Sequence, residues 1–236
     1  MVPKPKVPKV PKVPGVPKAW CVWILLVSFA VPAGAQSRER LPWFTIDAHA
    51  ATVGLPQAEG WVPAVSADTE LPGRNWGLSA GATVYPFRLG LVTFGAGASV
   101  IAGKGSSESL VITTGTGSNA TTRTTPVVHT GIISLVPQVS INFGRKLGWS
   151  YLSAGLGVSK VSSRADAVDS TPAMEAPEAW NSALNFGGGA RWFMKPHLGA
   201  GFDVRFVKLG SRSATATLPA AKRTQLWNIS VGISIQ

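Results

Sequence analysis

The sequence holds a single cysteine in 236 residues, three histidines, two tyrosines, and charged residues at only 14% of positions. One cysteine excludes an internal disulfide and any cysteine-rich zinc site. The scarcity of charge, beside abundant glycine, threonine and serine, argues against long solvent-exposed helices. A hydrophobic run able to cross a bilayer as a helix is missing too. The nearly unbroken apolar stretch of residues 19–32 is shorter than the roughly twenty residues such a helix needs. What remains, for a chain of one domain's length, is an all-β fold. The formal charge of +11 suggests a nucleic-acid partner until its distribution is read. Lys4, Lys6, Lys9, Lys12 and Lys18 sit in a Val-Pro-Lys repeat over the first 18 residues; without them 17 basic residues face 11 acidic ones, a net +6. No nucleic-acid partner is expected of that remainder.

The N-terminal features follow one another in a telling order. A basic segment, the apolar run and Ala33-Gly34-Ala35 before Gln36 have the layout of a secretory signal peptide, with cleavage predicted between Ala35 and Gln36. Residues 1–35 are therefore read as a cleaved signal peptide with a Val-Pro-Lys-rich start, and residues 36–236 as the mature domain. Cys21 leaves with the signal, which suits passage through an oxidising periplasm.

From Trp43 onward, apolar residues alternate with small or polar ones in eight segments: 43–53, 75–85, 91–102, 131–143, 149–161, 181–194, 198–208 and 225–236. Period-2 alternation marks strands with two unlike faces. In the second segment Trp76, Leu78, Ala80, Ala82 and Val84 alternate with Gly77, Ser79, Gly81 and Thr83; in the eighth Trp227, Ile229, Val231, Ile233 and Ile235 alternate with Asn228, Ser230, Gly232 and Ser234. The links alternate as well. They are tight at 86–90, 144–148 and 195–197, and long and polar at 54–74, 103–130, 162–180 and 210–224. An even number of strands with loops sorted by length predicts an eight-stranded antiparallel up-and-down transmembrane β-barrel, its short turns periplasmic and its long loops extracellular.

Aromatic placement agrees with this reading. Trp76, Trp180 and Trp227 fall near the long-loop end, and Trp43, Phe143, Trp149 and Trp192 near the short-turn end, the expected sites of two interfacial girdles. The face rich in Gly, Ser, Thr and Asn is assigned to the lumen, because eight strands leave an interior only wide enough for side chains. The apolar face then meets lipid, and Lys208 is the one charge expected on it, near enough to the rim to reach the headgroups.

Asp47, His49, Arg191, Asp203 and Arg205 are expected to point inward and to form a structural ion network whose pairing offsets its desolvation. No catalytic, cofactor-binding or metal-binding residue is expected, and the protein is not read as an enzyme. The three histidines lie at different strand ends without metal-ligand spacing. Two residues beyond His49, His129 and His197 stand Ala51, Gly131 and Gly199, so the serine that a barrel deacylase would pair with its histidine is missing. The acidic set Asp166, Asp169, Glu175 and Glu178 lacks the order of a calcium loop and reads as a solvated loop.

Three stretches carry a resemblance: Leu184-Asn185-Phe186-Gly187-Gly188-Gly189-Ala190-Arg191-Trp192-Phe193, residues 198–207, and Ser134-Leu135-Val136-Pro137-Gln138-Val139-Ser140-Ile141-Asn142-Phe143. With them the chain resembles the small outer-membrane β-barrel proteins of Gram-negative envelopes, the OmpA-like and opacity-type group. The resemblance implies residence in the outer membrane, contact with its lipid and lipopolysaccharide, and insertion by the barrel-assembly machinery. It implies a non-catalytic role in envelope structure, or in surface contact through the loops, where an extracellular ligand would bind. Two other functions fit a barrel of this size: a channel for small apolar molecules, and a lipid A-modifying enzyme. The sequence departs from the group at Ile233-Ser234-Ile235-Gln236, where its members end in an aromatic residue.

Overall fold

A computed structural model describes residues 41–236 apart from 59, 64, 66–67, 115–119, 170 and 215–218. The expected signal peptide therefore lies outside the described residues. Within them there are ten strands and no helix: β1 (Phe44–Gly54), β2 (Arg74–Leu89), β3 (Val92–Ser106), β4 (Val111–Thr114), β5 (Thr121–Thr124), β6 (Val128–Arg145), β7 (Gly148–Ala165), β8 (Met174–Phe193), β9 (Leu198–Leu209) and β10 (Thr224–Ile235).

Eight of these close into a barrel in the order β1-β2-β3-β6-β7-β8-β9-β10. Every neighbouring pair is antiparallel, and the ring shuts where β1 meets β10, with Ile46 opposite Ile235 and Val53 opposite Asn228. Closure leaves no strand edge unpaired around the ring, the condition for burying a sheet in hydrocarbon. β4 and β5 form a separate two-stranded ribbon within the link from β3 to β6. Its threonine-rich strands show no two-faced alternation, and the sequence pattern places them within a long polar link.

Two of the three links on one end are tighter than expected, with 90–91 and 146–147 as connections, while the third spans 194–197. β2 runs on through the supposed 86–90 turn to Leu89, shifting register between Val84 and Phe87. Pro86 falls inside this irregularity, where a strand tolerates a residue that cannot donate to the ladder. Gly90, at φ +60, makes the reversal that follows.

At the other end the difference runs the opposite way. The 162–180 link, read as a long loop, is mostly strand: β7 continues to Ala165 and β8 begins at Met174, leaving residues 166–173 as connection. β3 and β6 are lengthened likewise, to Ser106 and from Val128. These extensions carry Ser162, Arg164, Glu175 and Glu178 on the outer wall, so the apolar half of the alternation vanishes although the backbone pairing continues. The period-2 signal reports an apolar face, and here there is none.

Candidate functional site

Buried and exposed residues alternate along the barrel strands away from the register shifts in β2 and β8. On β6, Ser134, Gln138, Ser140 and Asn142 are buried while Leu135, Val139, Ile141 and Phe143 are exposed. On β10, Asn228, Ser230 and Ser234 are buried while Ile229, Val231, Ile233 and Ile235 are exposed. Buried positions face the lumen, so the polar residues are inside and the apolar ones outside. A soluble barrel has the reverse arrangement, since exposing a continuous apolar wall to water costs about 25 cal/mol per Å². The chain is a membrane-spanning β-barrel.

No protein-family model and no curated protein matches the sequence. Among solved structures the chain is similar to Neisserial surface protein A, at 13% identity and a TM-score of 0.45 over 82% of this chain and 97% of that one. It is also similar to Ail, the attachment invasion locus protein of Yersinia pestis, solved in complex with the heparin analogue sucrose octasulfate, at 10% identity and a TM-score of 0.42 over 81% and 95%. The outer membrane protein OprG of Pseudomonas aeruginosa shows 10% identity and a TM-score of 0.39 over 84% and 96%. The assignment of fold stands on the strand pairing and the orientation of the faces.

The lumen is filled in three layers. At its middle, Arg191 of β8 donates from Nε to Asp47 Oδ1 at 2.8 Å and from Nη2 to Asp47 Oδ2 at 2.5 Å, a two-pronged pair across the barrel to β1. Ser234 adds a third donor to Asp47 Oδ1 at 2.6 Å. The chord is open because the intervening strands β9 and β10 carry glycine there: Arg191, Gly201, Gly232 and His49 lie in register. A Cβ on Gly232 would come within 2.7 Å of the His49 ring, and one on Gly201 within 3.3 Å of His49 Nε2.

The second pair lies deeper along the chain. Arg205 donates from Nε to Asp203 Oδ2 at 2.7 Å, two residues back on the same face of β9, and from Nη1 to Gln138 Oε1 of β6 at 2.6 Å. His49 shares a hydrogen bond of 3.2 Å with Ser230 through Nδ1. Asp47, Arg191, Asp203 and Arg205 are thus all buried and paired, and His49 sits among them.

Toward the short-turn end an aromatic layer closes the lumen. Leu41, Tyr85, Trp149, Tyr151 and Phe193 form one buried cluster. Trp149 stacks on Phe193 with centroids 5.0 Å apart and meets Tyr85 edge-on at 6.1 Å. The Tyr85 and Thr45 hydroxyls lie 2.8 Å apart, and the Arg191 guanidinium lies over the Tyr151 ring at 4.1 Å. This layer corrects the girdle assignment. Trp149 is 3% exposed and points into the lumen, whereas Trp43, Trp76, Phe143, Trp180, Trp192 and Trp227 stand on the exposed wall. The signal was in the parity: Trp149 and Tyr151 share odd numbering with lumenal Ser153 on β7.

Toward the long-loop end an apolar layer of Val53, Leu55, Ile101, Val207, Leu209 and Leu226 is capped by Trp61 from the first long loop. Trp61 Nε1 donates to the Lys222 carbonyl in the last loop at 3.0 Å, and the Arg212 side chain reaches the Gly60 carbonyl. Desolvation lowers the Arg212 pKa from its ordinary value. No alternation surrounds Trp61, so nothing in the sequence marked it as a lid.

The charges outside the lumen are also placed. Lys208 is exposed on the outer wall, but it is not the one charge there: Lys104 joins it because β3 runs on past residue 102, and Lys160 because it keeps the outward parity of Val158 on β7. His129 Nε2 lies 3.1 Å from Asp166 Oδ2, Arg164 Nη2 lies 3.2 Å from Asp166 Oδ1, and Lys160 pairs with Glu178. Two members of the acidic set are therefore engaged by neighbouring cations. His197 Nδ1 faces the Gln236 carbonyl oxygen at 3.1 Å, tying the last residue to the β8–β9 turn.

Proposed function

We propose that the protein is a non-catalytic outer-membrane β-barrel that serves envelope structure or surface contact through its long loops. The observation that carries this reading is the filled lumen: an aromatic layer, an ion-paired layer and an apolar layer occupy it in turn, and Trp61 covers its long-loop mouth. A barrel so packed presents its wall to lipid and its loops to the medium, and loops held by a rigid scaffold are where recognition resides. The β4–β5 ribbon and the strand extensions of β3, β6, β7 and β8 stiffen that presented surface.

The packing weighs against a lumenal channel for apolar molecules, since a permeant would have to displace the Arg191–Asp47 pair. The histidines weigh against the lipid A enzyme. Nucleophilic hydrolysis requires a base within hydrogen-bond reach of its serine, and His129, nearest the outer rim, is engaged by Asp166 with no serine hydroxyl bonded to it among the described residues.

Planar-bilayer recording of the purified full-length protein tests the reading. Silence under an applied voltage is the expected result, and stable open-channel steps would overturn it. Mass spectrometry of lipid A from cells with and without the protein is expected to give identical acyl and phosphate patterns.

A further inference from the structure

The outer wall at the long-loop end carries two adjoining cavities of about 490 and 550 Å³ that share Lys104, Gly131, Ser162 and Glu178. Strand register explains the depression. Lys104 of β3 lies opposite Gly131 of β6, and Gly131 opposite Ser162 of β7. One row nearer the membrane, Leu78, Ala102, Ile133, Lys160 and Trp180 run in register across five strands. Gly131 therefore leaves a gap in the upper row between Lys104 and Ser162, with Lys160 one row nearer the membrane on the neighbouring strand. A Cβ at Gly131 would meet Ser162 Oγ at 2.9 Å and Lys104 Cγ at 3.5 Å, so any larger side chain would intrude on the space.

Strand spacing sets the distance between the cations. Two inter-strand steps and two residues along the strand separate the Lys104 and Lys160 Cα atoms by about 12 Å. Two long lysine stems reaching inward from that separation can converge on one anion of phosphate size. Lys104 is exposed and has no hydrogen-bond or ion-pair partner among the described residues. Lys160 is held by Glu178, which also lines the groove. Arg164 and His129 are occupied by Asp166. Lys104 is therefore the cation with a free valence.

The groove brings apolar wall and charge together. Leu78 and Ile133 line its membrane side in the same row as Lys160, and Lys104 stands in the row above, nearer the rim. An anionic head joined to an apolar tail satisfies both ends at once, and lysines at such a boundary keep their stems on apolar surface while the ammonium faces the headgroups.

We infer that this groove seats the phosphate-monoester headgroup of an anionic membrane lipid, held over Gly131 by Lys104 and Lys160, with an acyl chain lying along Leu78 and Ile133. The inference rests on the reading of the chain as a membrane barrel.

The test uses the full-length protein folded in zwitterionic detergent, with the mobility difference between boiled and unboiled samples as the folding control. Diphosphorylated lipid A, phosphatidylcholine and inorganic phosphate are titrated separately, and retained adducts are counted by native mass spectrometry. Lipid A is expected to be retained, at least fivefold more weakly by Lys104→Gln and by Gly131→Val, and unchanged by Lys208→Gln on the opposite wall. Lys104 is exposed, so its variant reports on binding even where Gly131→Val fails to fold. Equal retention by Lys104→Gln and the parent overturns the inference. Retention of phosphatidylcholine as firmly as lipid A, or binding of inorganic phosphate with the same affinity, also overturns it. A protein that shows no mobility difference and stays soluble without detergent would remove the membrane reading itself, a result separable from loss of the groove alone.

Discussion

Arg191 and Asp47 stand 144 residues apart in sequence and meet across the lumen in a bidentate pair with N–O distances of 2.5 and 2.8 Å. Each is buried, and each is the other's counter-charge. Removing one partner of such a pair leaves an uncompensated charge in a medium that cannot solvate it, at a cost of about 3–5 kcal/mol.

Asp47→Asn is therefore expected to destabilise the barrel by about that amount, read as the urea midpoint for unfolding from detergent or bilayer. The double variant Asp47→Asn with Arg191→Met, which removes the stranded cation as well, is expected to recover most of the loss. A single variant within 0.5 kcal/mol of the parent would mean the pair adds nothing to stability.

Trp149 and Trp192 offer a contrast between lumen and wall. Trp149→Ala empties the centre of the aromatic layer and should cost about 3–5 kcal/mol. Trp192 is exposed and stacks on Phe202 at 5.7 Å on the outer wall, so Trp192→Ala should cost much less in a detergent that covers that surface. Comparable losses in thermal unfolding of the two variants would contradict the inward orientation of Trp149.

Gly232 is needed for what its absent side chain leaves free. A Cβ there would crowd the His49 Cα and ring, and Gly232→Val is expected to lower stability by about 1–3 kcal/mol through overpacking. Gly90, with nothing near a Cβ but a φ of +60, is a control of the opposite kind: Gly90→Asn should be close to neutral, because asparagine accepts that backbone conformation.

Pro137 interrupts the seam between β6 and β7. The ladder passes from Leu135–Val158 to Gln138–Gly155 without pairing Val136 and Pro137, while Pro137 keeps its place opposite Ala98 on β3. Proline has no N–H to give. Pro137→Val is expected to complete the ladder, to slow amide exchange at residues 156 and 157 relative to the parent, and to raise stability by about 1 kcal/mol. Exchange at those residues already as slow as at Ser153 and Ser159 in the parent would show that the seam is not weak.

Much of this was readable from the chain. The eight barrel strands and the inward set Asp47, Arg191, Asp203 and Arg205 follow from period-2 alternation, because successive side chains on a strand must point to opposite faces, and the antiparallel order follows from the even strand number and the sorted links. Three things were not readable from the pattern as it was used. Trp149 was assigned by its position near a turn when its parity placed it inside. The extensions of β7 and β8 carry polar residues on their outer wall, so they gave no contrast between faces. Trp61 closes the lumen from a loop without periodicity.

By itself, the sequence determined which face of each strand meets lipid and how many strands close the ring, since both depend on local alternation and on the links between segments. Only the tertiary structure decided partners. Closing the ring placed β1 beside β10 and laid Gly201 and Gly232 between Arg191 and Asp47, so that a charge on the sixth barrel strand could reach one on the first. Strand register brought Gly131 between Lys104 and Ser162. These are relations between residues distant in the chain, and registers are set by the whole closed sheet.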